Sequence, residues 1–265
     1  MKKFFALAAI FAATMMSFTA CEKDGGKTDG PEVEVCPECG QNPCECEEEY
    51  VPAITIDGDF ADWAAVEAAT ATCDPEAKYT ALTTLKAYAD EFYVYLYVEF
   101  VEDEIADRAW TPFHVYFNAD NSDATGGFGD QWSDANAECM LETAIFGEGA
   151  YTTYDAALFK WWGEVGGTGW LWTEGSVAGF EHSGDDNWGA VLGEGSGIAN
   201  AAGKGNAFEI SILKEMMQGV EFAETFSVGV DIQQSWASVG VLPNAASTDD
   251  NPNGLAPKLV VTTAK

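Results

Sequence analysis

The clearest structural signal in the chain is an alternation of apolar and polar side chains in residues 92–101. The segment reads FYVYLYVEFV, in which Phe, Val and Leu at the even positions alternate with tyrosines and a glutamate. This two-residue period, built from residues that favour extended backbone, predicts a β-strand. Residues 82–88 have a similar character and precede it across the polar Ala89-Asp90-Glu91. The two segments therefore predict a hairpin.

Further short β-favouring segments follow, separated by clusters of Gly, Asn and Asp. They predict strands at residues 113–118, 138–146, 156–162, 171–173, 207–213, 226–233 and 259–263. Residues 62–69 and 213–218 are the two segments with a helical pattern, and each is about two turns long. Short strands with many turns predict an all-β fold, an antiparallel β-sandwich of the jelly-roll or immunoglobulin-like kind, with one or two short helices.

The start of the chain has the pattern of an export signal. Two lysines precede an apolar run at residues 4–16, which is too short to span a bilayer but is typical of a secretory signal. The run ends in SFTAC at residues 17–21, which resembles the lipobox of bacterial lipoproteins. The resemblance implies that residues 1–20 are removed and that Cys21 is lipidated. It also implies an outer-membrane lipoprotein of a Gram-negative bacterium, facing the cell surface or the periplasm. The alternative is that Cys21 is an ordinary thiol.

Residues 21–49 predict an acidic tether, because they are rich in Gly, Pro, Asp and Glu and nearly lack large apolar side chains. The tether contains four cysteines in two close pairs, Cys36, Cys39, Cys44 and Cys46. A C-x-x-C pair is typical of zinc sites, whereas an exported chain favours disulfides, and both interpretations stay open. Residues 50–265 contain no second linker and predict one domain. Its two cysteines, Cys73 and Cys139, fit either a disulfide or two buried thiols.

The charge of the chain restricts its partners. The formal net charge is −32, from 44 acidic and 12 basic residues, and Arg108 is the only arginine. Such a chain has almost nothing with which to bind phosphate groups, so nucleic acid is excluded as a partner. The same field repels anionic lipids and polysaccharides and favours a monomer that meets the membrane only through its lipid. Neutral ligands and divalent cations remain.

The loop after residue 118 is rich in oxygen-bearing side chains. These are Asp120, Asn121, Asp123 and Asp130. They predict an irregular calcium site, since calcium binds carboxylate and amide oxygens. The loop is not an EF-hand, because Asp123 stands where the sharp turn requires glycine. The alternative is a solvated turn, since the same residue types form turns. No organic cofactor is expected.

Enzymatic activity is not expected. The chain has two histidines, His114 and His182, and lacks a nucleophile elbow, an H-E-x-x-H motif and a phosphate-binding loop. His114 falls on the alternate face of a predicted strand, where a half-exposed side chain is expected. Carboxylate pairs are frequent by chance in so acidic a chain, so they do not indicate a glycosidase.

Several segments together resemble one known family. Residues 54–63 read ITIDGDFADW, residues 113–121 read FHVYFNADN, residues 208–212 read FEISI and residues 226–233 read FSVGVDIQ. In this order, together with the hairpin at residues 82–101, they resemble family 9 carbohydrate-binding modules, which open with an IDG…DW strand and turn. The resemblance covers most of residues 54–263, although residues 147–206 match nothing in the family. It implies a β-sandwich with Trp63 in its core.

Tryptophans are the candidate ligand-binding residues. A sugar packs its apolar face on a flat aromatic ring, and its hydroxyls pair with amide and carboxyl groups. The Gly-rich part of the domain contains five candidates, Trp161, Trp162, Trp170, Trp172 and Trp188, and two more flank the acidic loop, Trp110 and Trp132. Each has packing in the core as its alternative.

These observations predict a lipid-anchored, non-catalytic glycan-binding protein of the bacterial envelope that binds a neutral oligo- or polysaccharide and serves glycan uptake. The alternative is an adhesion or assembly module whose aromatic side chains bind a protein partner. A weaker alternative comes from related sandwich domains that hold haem between a histidine and a methionine, here His114 and Met140.

Overall fold

The computed structural model describes residues 50–105, 111–127, 136–146, 151–161, 164–166, 172–174, 198–217, 220–256 and 258–265. The predicted signal, Cys21 and the four tether cysteines lie outside these ranges. Residues 51–265 form one unit. No helix within the described ranges is long and apolar enough to cross a membrane.

The described residues form twelve strands in two antiparallel sheets. The five-stranded sheet consists of β1 (Ala69–Thr72), β2 (Leu82–Ala89), β3 (Tyr93–Phe100), β8 (Ala199–Lys204) and β9 (Ala207–Leu213), in the order β1-β2-β3-β9-β8. The seven-stranded sheet consists of β4 (Pro112–Asn118), β5 (Cys139–Phe146), β6 (Tyr151–Trp161), β7 (Trp172–Glu174), β10 (Thr225–Gln234), β11 (Ala237–Leu242) and β12 (Leu259–Thr262). Its order is β11-β10-β4-β5-β6-β7, and β12 pairs with the first residues of β10.

The predicted all-β sandwich is confirmed. The apolar core combines fully buried side chains of both sheets, as the alternating pattern requires. From the five-stranded sheet, β3 contributes Val94, Leu96 and Val98, and β9 contributes Phe208. The rings of Phe208 and Phe113, one from each sheet, meet edge to face with centroids 5.2 Å apart. Aromatic contacts of this kind join the two sheets.

The opposite face of β3 is also covered, although the sequence pattern predicts it to be the polar face. Tyr95 and Tyr97 are buried in a second cluster under the segment that leads into the sheets. This segment contains Ile54 and Trp63, and the predicted core position of Trp63 is confirmed. The opening motif of the sequence therefore packs against, and covers, one face of the five-stranded sheet.

The two predicted helical segments overlap short 3-10 helices that span fewer residues than predicted. The first segment is a 3-10 helix, Phe60–Ala64, after which Ala69 begins β1. The second is a single 3-10 turn, Lys214–Met216. Segments this short do not overcome the cost of nucleating an α-helix, and docking against the sheets determines their conformation instead.

The two cysteines of the domain are free thiols. Cys139 is buried at the start of β5, and Cys73 is half-buried just after β1. Burial raises the pKa of the Cys139 thiol to about 12. At neutral pH this thiol is protonated and therefore a poor nucleophile.

Candidate functional site on the outer face of the seven-stranded sheet

The face of the seven-stranded sheet that points away from the sandwich core has a line of polar positions. Alternate residues of β4 lie on this outer face, and the antiparallel register places residues of β10 opposite them. We call this set the polar row; it pairs His114 with Asp231, Tyr116 with Gly229 and Asn118 with Ser227.

One end of the polar row is a buried charge cluster. His114 is 1% exposed, and its Nε2 lies 2.7 Å from Oε2 of Glu142 on β5. Its Nδ1 lies 3.5 Å from Oδ2 of Asp231, which also accepts a hydrogen bond from Nε2 of Gln233 at 2.7 Å. Asp231 is 0% exposed, and among the described residues nothing donates to its Oδ1. The cluster therefore holds an imidazole between two carboxyl groups inside the protein.

The expectation of a half-exposed His114 is wrong, and its environment changes its protonation. Burial by itself lowers the pKa of His114, but the hydrogen bonds and charges of Asp231 and Glu142 outweigh burial and raise it to about 9. At neutral pH His114 is therefore an imidazolium. Both ring nitrogens face carboxyl oxygens, so neither is available to haem iron. Met140 lies fully buried in the apolar cluster on this face.

The other end of the polar row lines a small cleft with a cavity volume of about 20 Å³. Its walls are Tyr116, Asn118, Ala137, Ser227, Val228, Gly229, Pro243 and Lys258. Gly229 stands opposite Tyr116 and lines the cleft without a side chain of its own. A single water needs about 10–15 Å³, so the cleft has room for about one water, and a ligand would lie against its mouth rather than inside it.

The polar groups of the cleft are held by neighbouring loops. Asn118 is bonded to Ser122 twice, donating through Nδ2 to the carbonyl oxygen and accepting from the backbone N–H, both at 3.0 Å. Ser227 Oγ donates to Oδ1 of Asn121 at 2.8 Å. Lys258 Nζ lies 2.6 Å from Oδ1 of Asp123. The side chains at the cleft are thus oriented before any ligand arrives.

Three of the predicted calcium ligands, Asp120, Asn121 and Asp123, lie in the loop beside this cleft. Both oxygens of Asp120 accept from Oγ1 of Thr125, and one also accepts from the backbone N–H of Ser122. Asp123 is hydrogen-bonded and ion-paired with Lys258, and both interactions lower the pKa of the Asp123 carboxyl group. Within the described residues, no three His, Cys, Asp or Glu side chains are grouped to hold a metal ion. Asp130 lies outside the described residues, and the calcium site stays a prediction.

The sequence analysis did not identify the role of Glu138, whose side chain hydrogen-bonds the first residue of this loop. Its Oε2 accepts from the backbone N–H of Ala119 at 2.7 Å. Burial raises the pKa of Glu138 despite that hydrogen bond. The residue is the first of a predicted strand and has no local signal of this role, because its partner comes from the other end of the loop.

Trp161, a predicted sugar-binding residue, lies in the packing of the sheet. It ends β6, is 8% exposed, and donates from Nε1 to the carbonyl oxygen of Glu164 at 3.0 Å. Its indole belongs to the apolar cluster on the outer face and leaves little ring surface for a ligand. Trp172 pairs with Trp161 as part of β7, where its backbone alone is described. The other predicted residues lie outside the described ranges: Trp110, Trp132, Trp162, Trp170 and Trp188.

Gly127→Ala is expected to lower the free energy of unfolding by about 1–3 kcal/mol, as overpacking does in a filled core. A Cβ at Gly127 would lie 2.4 Å from Cε2 of Trp161, so the indole must shift. Urea denaturation measures the loss. In a Trp161→Phe background the smaller ring leaves room, and the same substitution should cost less. An equal cost in both backgrounds would contradict the packing assigned to Trp161.

A further exposed aromatic residue escaped the sequence analysis. Trp236 occupies the turn between β10 and β11 and is 69% exposed. The signal existed, since a two-residue turn separates two strands that can pair. It was missed because β11, with the sequence ASVGVL, contains little to predict a strand.

No protein-family model matches this chain. No curated protein is similar to it in sequence either. The resemblance to family 9 carbohydrate-binding modules therefore stays a prediction, and the geometry of the outer face is the basis for functional inference.

Proposed function

We propose that the protein is a non-catalytic glycan-binding module, a monomer held at the bacterial envelope through a lipid on Cys21. It binds a neutral oligo- or polysaccharide on the outer face of the seven-stranded sheet, at the cleft end of the polar row. The main support is the chemistry of that cleft. Its described lining includes no acidic side chain, although the chain contains 44 acidic residues.

The lining of the cleft supports a neutral ligand, although Asn118 and Ser227 are only 2% and 1% exposed and already bonded to the loop. An amide, a hydroxyl and a phenol line it, together with the apolar Val228 and Pro243. Sugars present both hydroxyls and apolar C–H faces, so they match this mixture. Its cation, Lys258, is already paired with Asp123, and the surrounding field repels anions. A neutral glycan is therefore the best-matched ligand class.

The charge cluster supports binding without catalysis. A histidine that acts as a general base needs a free ring nitrogen within reach of substrate. His114 is buried with both nitrogens against carboxyl oxygens, so it serves as a structural cation between β4, β5 and β10.

Native affinity electrophoresis tests the proposal. Residues 22–265, which omit the lipidated cysteine, are run through gels that contain a panel of neutral polysaccharides, each with calcium and with a chelator. We expect retardation by at least one polymer. Loss of retardation in chelator would support the predicted site at Asp120, Asn121, Asp123 and Asp130. Unchanged mobility in every gel would contradict glycan binding and support the adhesion or assembly alternative.

Gly229→Val is expected to weaken binding to the retarding polymer at least tenfold, because its side chain would fill the space opposite Tyr116. Because Gly229 is buried, urea denaturation of the variant is measured beside the binding assay to show that the strand accommodates the larger side chain. Thr70→Val is the matched control, because it adds an apolar side chain at an exposed position of the other sheet. Equal retardation of both variants would place the glycan away from this cleft.

A further inference from the structure

The hairpin between β10 and β11 has an unusual turn. Gln234 pairs with Ala237, so the loop consists of Ser235 and Trp236 alone. Both have positive φ angles, 51° and 63°. Two-residue turns with two positive φ angles are ordinarily formed by Asn-Gly or Asp-Gly, because a larger side chain is strained in this conformation. Tryptophan is therefore a poor residue for turn formation here.

Burial does not compensate for this strain. Trp236 is 69% exposed, so most of its ring surface gains nothing from folding. Glycine would adopt the same conformation without strain. Strained residues that a fold does not require are concentrated at ligand-binding positions. An exposed indole in a strained turn thus indicates a ligand contact.

The surroundings of the turn define the ligand. Residues 232–248 contain no charged side chain, in a chain whose net charge is −32. Gln234 and Ser235 precede the tryptophan in the chain, and Nε2 of Gln234 donates to Oγ1 of Thr111 at 2.9 Å. A flat aromatic ring among neutral hydrogen-bonding groups matches a sugar ring, whose C–H face stacks while its hydroxyls pair with amides.

We propose that Trp236 is a sugar-stacking residue, with its indole against the face of one ring of a neutral glycan. The proposal rests on the proposed glycan-binding function and deepens it. Ser227 in the cleft and Gln234 beside the turn are seven steps apart along β10, a distance of about 23 Å at the rise of a strand. A ligand that contacts both is an extended chain of several sugars, so a polysaccharide should bind more tightly than its monosaccharide.

The test compares Trp236→Gly with Ser235→Gly. Both substitutions relieve strain in the turn, so each should raise the melting temperature by about 2–4 °C if roughly 1 kcal/mol is relieved. Only the first removes the indole. In affinity electrophoresis with the polymer that retards the unmodified protein, Trp236→Gly should weaken binding at least tenfold, and Ser235→Gly should bind as the unmodified protein does.

The outcomes separate this proposal from the proposed function. If the unmodified protein and Trp236→Gly are retarded equally, glycan binding stands and the role of Trp236 is overturned. If both variants lose binding, the turn conformation rather than the indole is responsible, which also overturns it. A lower melting temperature for Trp236→Gly would overturn the strain argument on which it depends. If no polymer retards the unmodified protein, the proposed function fails and this proposal fails with it.

Discussion

Replacing Glu209 with alanine is expected to lower the free energy of unfolding by about 3–5 kcal/mol, because hydrogen bonds to a charged group are strong and unpaired buried donors are costly. Glu209 is 0% exposed on β9. Its Oε1 accepts from the backbone N–H groups of Asp57 and Gly58 at 3.1 and 2.8 Å, and its Oε2 accepts from Nε1 of Trp63 at 2.9 Å. The substitution would leave all three donors without their acceptor.

Urea denaturation of residues 22–265 measures this effect. Glu209→Gln keeps one side-chain oxygen as an acceptor and should lose less stability than alanine. Glu67→Ala is the control, since Glu67 is exposed and a surface substitution of this kind changes stability by less than about 0.5 kcal/mol. A loss below about 1 kcal/mol for Glu209→Ala would show that apolar packing alone holds the opening segment in place.

The role of Glu209 gives the opening motif a physical explanation. Gly58 has a φ of 80° and donates to Glu209, and Asp57 Oδ1 accepts from the N–H of Asp59 to form the turn. Asp62 Oδ2 accepts from the N–H of Thr55, which closes the segment on itself. The IDG…DW residues therefore fasten a segment to the five-stranded sheet. They account for the fold, and they do not by themselves indicate a ligand.

Replacing His114 with glutamine is expected to lower the free energy of unfolding at neutral pH by about 3–5 kcal/mol, as breaking a buried ion pair does. The substitution removes the cation that faces Asp231 and Glu142 inside the protein. Denaturation in urea at pH 6.5 measures the loss. A variant with leucine at all three positions should recover much of it, because no buried charge is left unpaired. Failure of that variant to improve on His114→Gln would contradict the electrostatic explanation.

The stabilising effect of His114 should also depend on pH. Its pKa is raised from 6.5 to about 9 in the folded protein, so the native state binds the proton more tightly than the unfolded chain does. The stabilisation is complete below pH 6.5 and is lost as the pH rises through 9. The difference in stability between the unmodified protein and His114→Gln should therefore shrink over this interval. A constant difference between pH 6 and pH 10 would show that His114 is neutral in the fold.

The strands that sequence analysis predicted well share a strong pattern. Residues 207–213 match β9, and the alternation at residues 92–101 gives β3 to within one residue at each end. The missed strands, β1, β8 and β11, are rich in Ala, Gly, Ser and Thr. All three lie at sheet edges, where backbone pairing with one neighbour determines the structure. Side-chain pattern gives little information about such strands.

The candidate site was less accessible to sequence analysis, because it depends on pairing between distant segments. His114 and Asp231 are 117 residues apart, and the register of β4 with β10 brings them together. Residue type alone was also misleading for tryptophan. Trp161 is buried at the end of β6, whereas Trp236, in a turn that was not predicted, is exposed. Position in the fold, rather than the identity of the ring, decides which indole can meet a ligand.

The two free thiols allow opening of the sandwich to be measured by alkylation. Cys139 is sealed between the sheets, so an alkylating reagent modifies it only when the seven-stranded sheet separates from its partner. Cys73 lies beside the edge of the other sheet and is partly accessible already. The measurement uses residues 51–265, which exclude the tether cysteines. The alkylation rates of Cys73 and Cys139 are compared without denaturant. Their ratio reports how far local fraying at one sheet edge is coupled to opening of the whole domain.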